Sequence, residues 1–352
     1  MAQLQRSVRT RCGTTQYMEK LVQADPALKA RLNAYEVNIQ SRTAQRKASR
    51  ALKTTKIVPL VIHVIYNTPE QNISDAQIQS QINVLNQDFL RANPDAINTP
   101  ASFANAAANT DIQFCLVSII RKQTDKISFS SNNDVKFCST GGNDAMDVNK
   151  YFNIWVCNLS ELLGYGEFPN ILPSNTYGAV IGYKAFGTIG TATYPYDKGR
   201  TLTHEIAHCL NVHHIFSEDS SVCKTDHCID IPDQSAPTMG CPQYPASDNC
   251  TSDSSGKMFM NYMDYVDDAC MNLFTNCQSE RMQSVLETFP YSSLTRTGCN
   301  SVAPVLCNPN PTNNPIYTPN LLFLRYFSLK NILIFLGVII VIYMLYRTFI
   351  KK

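Results

Sequence analysis

Five of the six histidines in this 352-residue chain lie between His204 and His227. Their core reads His204-Glu205-Ile206-Ala207-His208-Cys209-Leu210-Asn211-Val212-His213-His214. On an α-helix His204 and His208 stand one turn apart on one face, as two nitrogen ligands of a single metal require. Glu205 sits about 100° round the helix, close enough to reach a water at that metal without binding the metal itself. A third ligand must come from beyond the helix end. His214 fits that place, whereas His213, one residue short, is expected in solvent. The chain must turn sharply between His208 and His214, and Asn211 is the best non-glycine residue for a positive φ. Three histidines leave a fourth tetrahedral position open for water, the arrangement of a catalytic Zn2+. With Glu205 as general base, that chemistry is hydrolysis without a covalent intermediate.

Such a site needs a scaffold. Ile57 to Tyr66 is an apolar, β-branched run typical of a buried strand, and further strand-like runs follow at Ile112–Ile120, Phe152–Val156 and Ala179–Tyr183. Ser74 with Gln77 makes a capping-box start, after which Ile78, Ile82, Leu85 and Phe89 fall on one helical face. Asn276 is expected to cap a last helix whose apolar face is Met282, Val285, Leu286 and Phe289. Residues 1–56 are helix-prone and poor in strand formers, and Ala44 to Arg50 reads as an exposed, protease-sensitive connection. Ser301 to Asn320, rich in Pro and Asn, is a stiff linker.

Charge and cysteine content narrow the function. The net charge is only +2, which gives no global field for nucleic acid. Locally the balance is uneven. Met1 to Lys56 has twelve Lys/Arg against three acids, and Glu218 to Asp268 has ten acids against two lysines. A basic head and an acidic middle attract each other. Thirteen cysteines point to an oxidising compartment, and their odd number leaves at least one outside any internal pair. Asn72-Ile-Ser74, Asn158-Leu-Ser160 and Asn249-Cys-Thr251 are glycosylation acceptors only in a secretory lumen, yet Met1 to Cys12 is not a conventional signal peptide. At the other end, Asn331 to Tyr346 is uncharged and apolar, and Lys330 and Arg347 can snorkel from its ends. Residues 321–352, with 331–346 as their core, are therefore expected to form one membrane anchor, of open sidedness. A large virus particle or an unconventional export route would reconcile such an anchor with the cysteines.

The histidine signature, with Asn in the usual glycine place, resembles the metzincin metallopeptidases. Asn261-Tyr262-Met263-Asp264-Tyr265, with Asp267, Asp268 and Cys270 after it, is similar to the Met-turn of the pappalysin family, which includes the ulilysin-like enzymes. Tyr151 to Cys157, Leu163 to Pro169, Gly199 to Thr203 and Arg11-Cys-Gly-Thr14 are family-like as well. Cys209 departs from the large aromatic residue often found there, which alters the packing behind the helix. The resemblance spans Arg11 to Leu294. It implies an α+β metzincin-type zincin: a twisted mixed sheet, a long active-site helix and an irregular disulfide-stapled C-terminal subdomain. A helical pro-segment (1–56), a catalytic domain (57–300), a linker (301–320) and the anchor (321–352) complete the chain.

Further roles are implied by the same resemblance. Met263 lies beneath the zinc, and Tyr265 hydrogen-bonds the reacting carbonyl. A protein or peptide substrate lies extended along an edge strand at Gly164, Tyr165, Gly166, Glu167 and Phe168. The acidic loop with Asp226 and Asp230 is a candidate structural Ca2+ site. Disulfides are implied between Cys223 and Cys250 and between Cys241 and Cys270, with Cys228 competing for the first. Apart from the resemblance, a soft Cys12 thiolate, brought in by the basic head, can take the fourth zinc position and hold the enzyme latent, the alternative being a free or disulfide-bonded Cys12. Acid near the cleft, Asp267 and Asp268 included, favours substrates with Lys or Arg beside the cut. The chain reads as a latent zinc endopeptidase; the alternative is a catalytically silent, membrane-anchored binding or structural protein that keeps the fold.

Overall fold

The computed structural model describes residues 10–49, 54–172, 174–219, 222–223, 227–251, 254–296 and 298–306. Six strands form one mixed sheet: β1 (Thr10–Cys12), β2 (Lys56–Tyr66), β3 (Ile112–Gln123), β4 (Phe152–Cys157), β5 (Leu162–Gly166) and β6 (Gly178–Gly182). Their order across the sheet is β1-β5-β6-β4-β2-β3, and only the β5–β6 pair is antiparallel. β2 lies between β4 and β3 and is buried from Val58 to Ile65. A parallel strand covered on both faces needs such an apolar run, which only His63 interrupts, its ring hydrogen-bonded to Asn153 and Asn143.

Three helices cover one face. α3 (Asp75–Phe89) is capped by Ser74, whose Oγ accepts from Gln77 N at 3.1 Å, and it buries Ile78, Ile82, Leu85 and Phe89 as its periodicity predicts. α4 (Arg200–Cys209) carries the histidine signature and is buried at all ten positions. α5 (Asn276–Glu287) completes the layer. Its cap is Thr275 rather than Asn276: Thr275 Oγ1 accepts from Gln278 N, and Gln278 Oε1 accepts from Thr275 N at 2.9 Å. Asn276 is the first helical residue, because only Thr275 has a Gln three places on to close the reciprocal pair.

The head is less purely helical than its composition suggests. Residues 10–12 form β1 before α1 (Thr14–Ala24) and α2 (Ala27–Ser49). Pairing with the edge of β5 supplies the extended conformation that the local sequence does not encode. The segment expected as an exposed connection continues α2 as far as Ser49, with Ala44, Gln45, Lys47 and Ala48 exposed as anticipated. Arg46 there is tied to Glu280 at 2.7 Å and Glu287 at 2.5 Å on α5. At the far end, the Cys115–Cys299 disulfide and a hydrogen bond from Val302 N to Val117 O at 2.9 Å hold the start of the linker to β3. The expected membrane anchor lies outside the described residues. Among the described residues no helix is long and apolar enough to cross a membrane.

Candidate active site

The three imidazoles converge. The Nε2 atoms of His204 and His208 are 3.1 Å apart, those of His208 and His214 are 3.0 Å apart, and those of His204 and His214 are 3.3 Å apart. Each Nδ1 is held from behind: His204 by Tyr262 O at 2.6 Å, His208 by Val212 O at 2.8 Å, and His214 by Glu218 Oε1 at 2.6 Å. A backbone carbonyl can only accept, so Nδ1 carries the proton and Nε2 presents its lone pair. Burial holds His204 and His208 neutral, with the neighbouring His214 adding to it. Three lone pairs facing one another repel unless a cation lies among them. Nitrogen ligands about 2.0–2.1 Å from a tetrahedral zinc stand about 3.4 Å apart, so this donor set fits that ion.

The turn that delivers His214 is built as the sequence requires. Asn211 has φ +64. Asn211 N donates to His208 O and Val212 N to Ala207 O, both at 2.9 Å, the pair of bonds of a Schellman C-terminus. His213 stays out of the cluster. Its side chain is 37% exposed and stacks on Phe168 with centroids 4.6 Å apart.

Glu205 lies fully buried beside the histidines. Its Oε2 accepts from Thr14 Oγ1 at 2.8 Å and from Cys12 Sγ at 3.5 Å, while Oε1 has no partner. Burial pushes this carboxyl up to about 8. Tyr265 Oη stands 3.3 Å from His214 Nε2, and Met263 is wholly buried in the same apolar core as Tyr262. Cys12 Sγ is 3.5 Å from His208 Nε2, and it forms with the three histidines a group whose ligand atoms all lie within 4.8 Å of one another. Thr14 N donates to that sulfur at 3.4 Å, and burial pushes the thiol up.

The edge strand differs from expectation at one end. It stops at Gly166, so of the five anticipated residues Gly164, Tyr165 and Gly166 belong to β5, while Glu167 and Phe168 lie beyond it. The two glycines have a steric reason. A Cβ at Gly166 would stand 2.6 Å from Glu205 O, and one at Gly164 would stand 3.0 Å from Glu205 Cγ. Only glycine lets α4 press against this strand. Cys209 fills the space under the same strand, its Sγ 3.0 Å from where a Gly166 Cβ would be. The outer edge of β5 is taken by the head: Thr10 N donates to Glu161 O at 3.0 Å, Gly13 N to Gly164 O at 2.9 Å, and Gly166 N to Thr14 Oγ1 at 2.8 Å.

Among the described residues the expected attraction between basic head and acidic middle is seen in a buried pair. Arg11 Nη2 meets Asp268 Oδ1 at 2.9 Å, with side chains 1% and 0% exposed. The remaining oxygen of Asp268 accepts from Lys198 N at 3.0 Å and Arg200 N at 3.1 Å. A second clamp has the opposite polarity and no signal in local sequence. Glu36 of α2 accepts from both Arg281 Nη2, at 2.7 and 3.0 Å, and Asn211 Nδ2, at 2.7 Å.

Both implied disulfides, Cys223–Cys250 and Cys241–Cys270, are present. Cys228 does not compete for the first; it pairs with Cys277 and ties the acidic loop to α5. Cys12, Cys157 and Cys209 are free and buried. Asp226 lies outside the described residues. Asp230 gives the calcium reading no support, since its oxygens accept from Thr275 Oγ1 and Cys277 N at the start of α5, each at 2.9 Å.

Comparison with known proteins agrees with this geometry. The profile of the peptidase family described as pregnancy-associated plasma protein-A matches residues 131–287. Extracellular metalloproteases of Arthroderma benhamiae and Trichophyton verrucosum are each 33% identical over 248 residues, covering 69% of this chain and 82% of theirs. Mature mirolysin of Tannerella forsythia, solved with a cleaved peptide, is 48% identical with a TM-score of 0.67, over 69% of this chain and 97% of that one. A promirolysin mutant from the same organism is 44% identical with a TM-score of 0.74, and it extends the match to 81% of this chain and 97% of its own.

Proposed function

Because the chain belongs to the pappalysin family of zinc metallopeptidases, we propose that His204, His208 and His214 hold its catalytic zinc, that Glu205 is the general base, and that the head closes the site through Cys12. The protein is a zinc-dependent endopeptidase made in a latent form. The observation that carries the assignment of residues is the convergence of three Nε2 lone pairs within 3.3 Å of one another, with a carboxylate alongside.

When bound, zinc polarises the scissile carbonyl and makes water nucleophilic at neutral pH. The rest is work for the chain. Glu205 takes a proton from the attacking water and hands it to the leaving amine. Tyr265, its hydroxyl beside His214, donates a hydrogen bond to the oxygen on which charge develops. Gly164 O and Gly166 N, used by the head in the closed form, are free in the mature enzyme to bind an extended peptide. Asp268 is the counter-charge for a Lys or Arg of the substrate, in the place Arg11 fills. The disulfides and the extracellular relatives support an oxidising compartment, and the apolar run 331–346 is proposed as an anchor on composition alone.

The test compares head-free wild type with Glu205→Ala for zinc content and casein cleavage. Equal zinc with hydrolysis lost by about 10²-fold or more supports the assignment. Equal hydrolysis by both proteins refutes it and leaves the silent binding protein as the better description.

A further inference from the structure

A buried polar cage lies at the end of β5, where the proposed substrate edge stops. Lys136 is fully buried and donates from Nζ to Thr176 O at 2.5 Å. Glu167 Oε2 stands 3.6 Å from that ammonium and accepts from Thr176 Oγ1 at 2.8 Å. Trp155 and Tyr165 offer their rings to the same cation, with centroids 5.4 and 5.5 Å away. Every one of these groups belongs to the catalytic domain, yet what fills the cage comes from the head. Tyr17 packs its ring on Tyr165 at 4.7 Å. Its hydroxyl accepts from Lys136 Nζ at 3.0 Å and lies 2.7 Å from Asn133 Oδ1 and 3.1 Å from Glu167 Oε2, one of which takes its proton.

Burying a lysine and a glutamate is costly unless their hydrogen bonds are completed, and an apolar core of equal volume would be no less stable. Here completion depends on a phenol that departs with the head. The position is informative as well. The head runs along β5 with Thr10 opposite Leu162 and Cys12 opposite Gly164, so Arg11 and Tyr17 fall on opposite sides of the residue that faces the histidines. Glu167 follows Gly166 directly, at the end of the edge that a substrate backbone would use.

We propose that the cage is a substrate pocket for a tyrosine side chain, within a few residues of the scissile bond and on the side away from the basic residue held by Asp268. The ring packs against Tyr165, tilted by 46°, and the hydroxyl is read by Lys136, Asn133 and Glu167 together. Hydroxyl recognition by buried polar groups discriminates strongly, because an analogue lacking it leaves them unpaired. The proposal rests on the peptidase reading, which the test keeps separate.

The experiment uses mature, head-free enzyme and quenched-fluorescence peptides with one arginine at the cleavage site and alanine elsewhere. Tyrosine is walked through the four positions on the far side of the cut, then replaced by phenylalanine at the best one. The expected result is one position where tyrosine raises kcat/KM about tenfold over alanine, with phenylalanine at least threefold below tyrosine. In Asn133→Ala the tyrosine-to-phenylalanine ratio should fall toward one. Cleavage at arginine with no tyrosine preference at any position overturns the pocket and leaves the peptidase intact, as do equal rates for tyrosine and phenylalanine. Failure to cleave any of the peptides, with zinc bound, overturns both.

Discussion

Replacing Arg11 by alanine in the full-length latent chain should release activity without any cut in the head. The Arg11–Asp268 pair is almost completely buried, and breaking one side of such a pair costs about 3–5 kcal/mol. The lower end applies here. Asp268 keeps the amides of Lys198 and Arg200, so its charge is not left bare. Arg11 also loses a 3.2 Å contact to Met271 Sδ and its place over the Tyr196 ring. A loss of about 3 kcal/mol shifts the balance between closed and open heads by about 100-fold. The assay is cleavage of an arginine-containing peptide by intact zymogen, with gel analysis to confirm that the head is uncut. Basal rate should rise by about 100-fold, or to the ceiling set by head-free enzyme if that is lower. Arg11→Lys, which keeps the charge but not the fork, should fall between. An unchanged basal rate in Arg11→Ala, from a preparation whose head-free form is fully active, would show that the pair does not hold the head and refute the reasoning.

Glu36→Gln should loosen the same head at a second clamp. Burial alone would raise this carboxyl, but the two hydrogen bonds from Arg281 override it and hold it at about 2. Loss of the charge should raise basal activity about tenfold, and multiplicatively with Arg11→Ala, since the two clamps share no partner; a zymogen as silent as wild type would count against the clamp. Chelation of zinc should abolish hydrolysis and lower the melting temperature, because three converging lone pairs are then left unpartnered; zinc, but not magnesium, should restore both. His63 gives a pH signature remote from the site. It is fully buried between Asn153 and Asn143, and burial lowers it to about 4. Its folded value lies below the unfolded value of about 6.5, so the stability tied to its neutral form is whole above that pH. That stability drains away as pH falls toward 4, by about 3 kcal/mol in all. Denaturant titrations of wild type and His63→Gln between pH 7 and 4 should converge or cross, and parallel curves would refute the assignment.

What could be read from sequence was local. The His204–His208 spacing, the turn at Asn211 and the β-branched run of β2 each declare themselves within a few residues, because one helical turn or one strand face decides them. The capping pair of Thr275 with Gln278 was equally local, and only the nearness of Asn276 obscured it. β1 has no such signal: Thr10-Arg11-Cys12 is extended because the free edge of β5 is there to pair with it. Arg11 with Asp268 and Glu36 with Arg281 join residues 257 and 245 apart, which charge balance hinted at for the first and concealed for the second. The Cys228–Cys277 bond was out of reach for the same reason. Lys136 carries no signal in its local sequence, and Glu167 was legible only as part of the substrate edge; their burial around Tyr17 is what pairs them.

The way the head is seated bears on why a peptidase does not digest its own inhibitor. The ladder between β1 and β5 is parallel, and it places the side chain of Cys12 beside His208. With the three histidines as the proposed zinc ligands, a sulfur stands beside the position where a substrate would present its carbonyl. Glu205 is engaged at the same moment, for the Thr14 hydroxyl donates to it at 2.8 Å and the Cys12 thiol lies on the same oxygen. With Oε2 so held, a base at Glu205 would have only Oε1 left to take a proton from water. Thr14 also occupies the amide of Gly166, so a single residue engages one oxygen of the proposed base and removes a rung of the substrate ladder. Thr14→Val keeps the shape and deletes the hydroxyl. It should therefore leave the head bound through Arg11 and Glu36 while making its own backbone near Cys12 slowly cleavable, an internal cut that mass spectrometry of the aged zymogen would locate. A Thr14→Val zymogen that stays intact as long as wild type, but opens as readily as Arg11→Ala, would mean that Thr14 acts as an anchor and not as a block on the base.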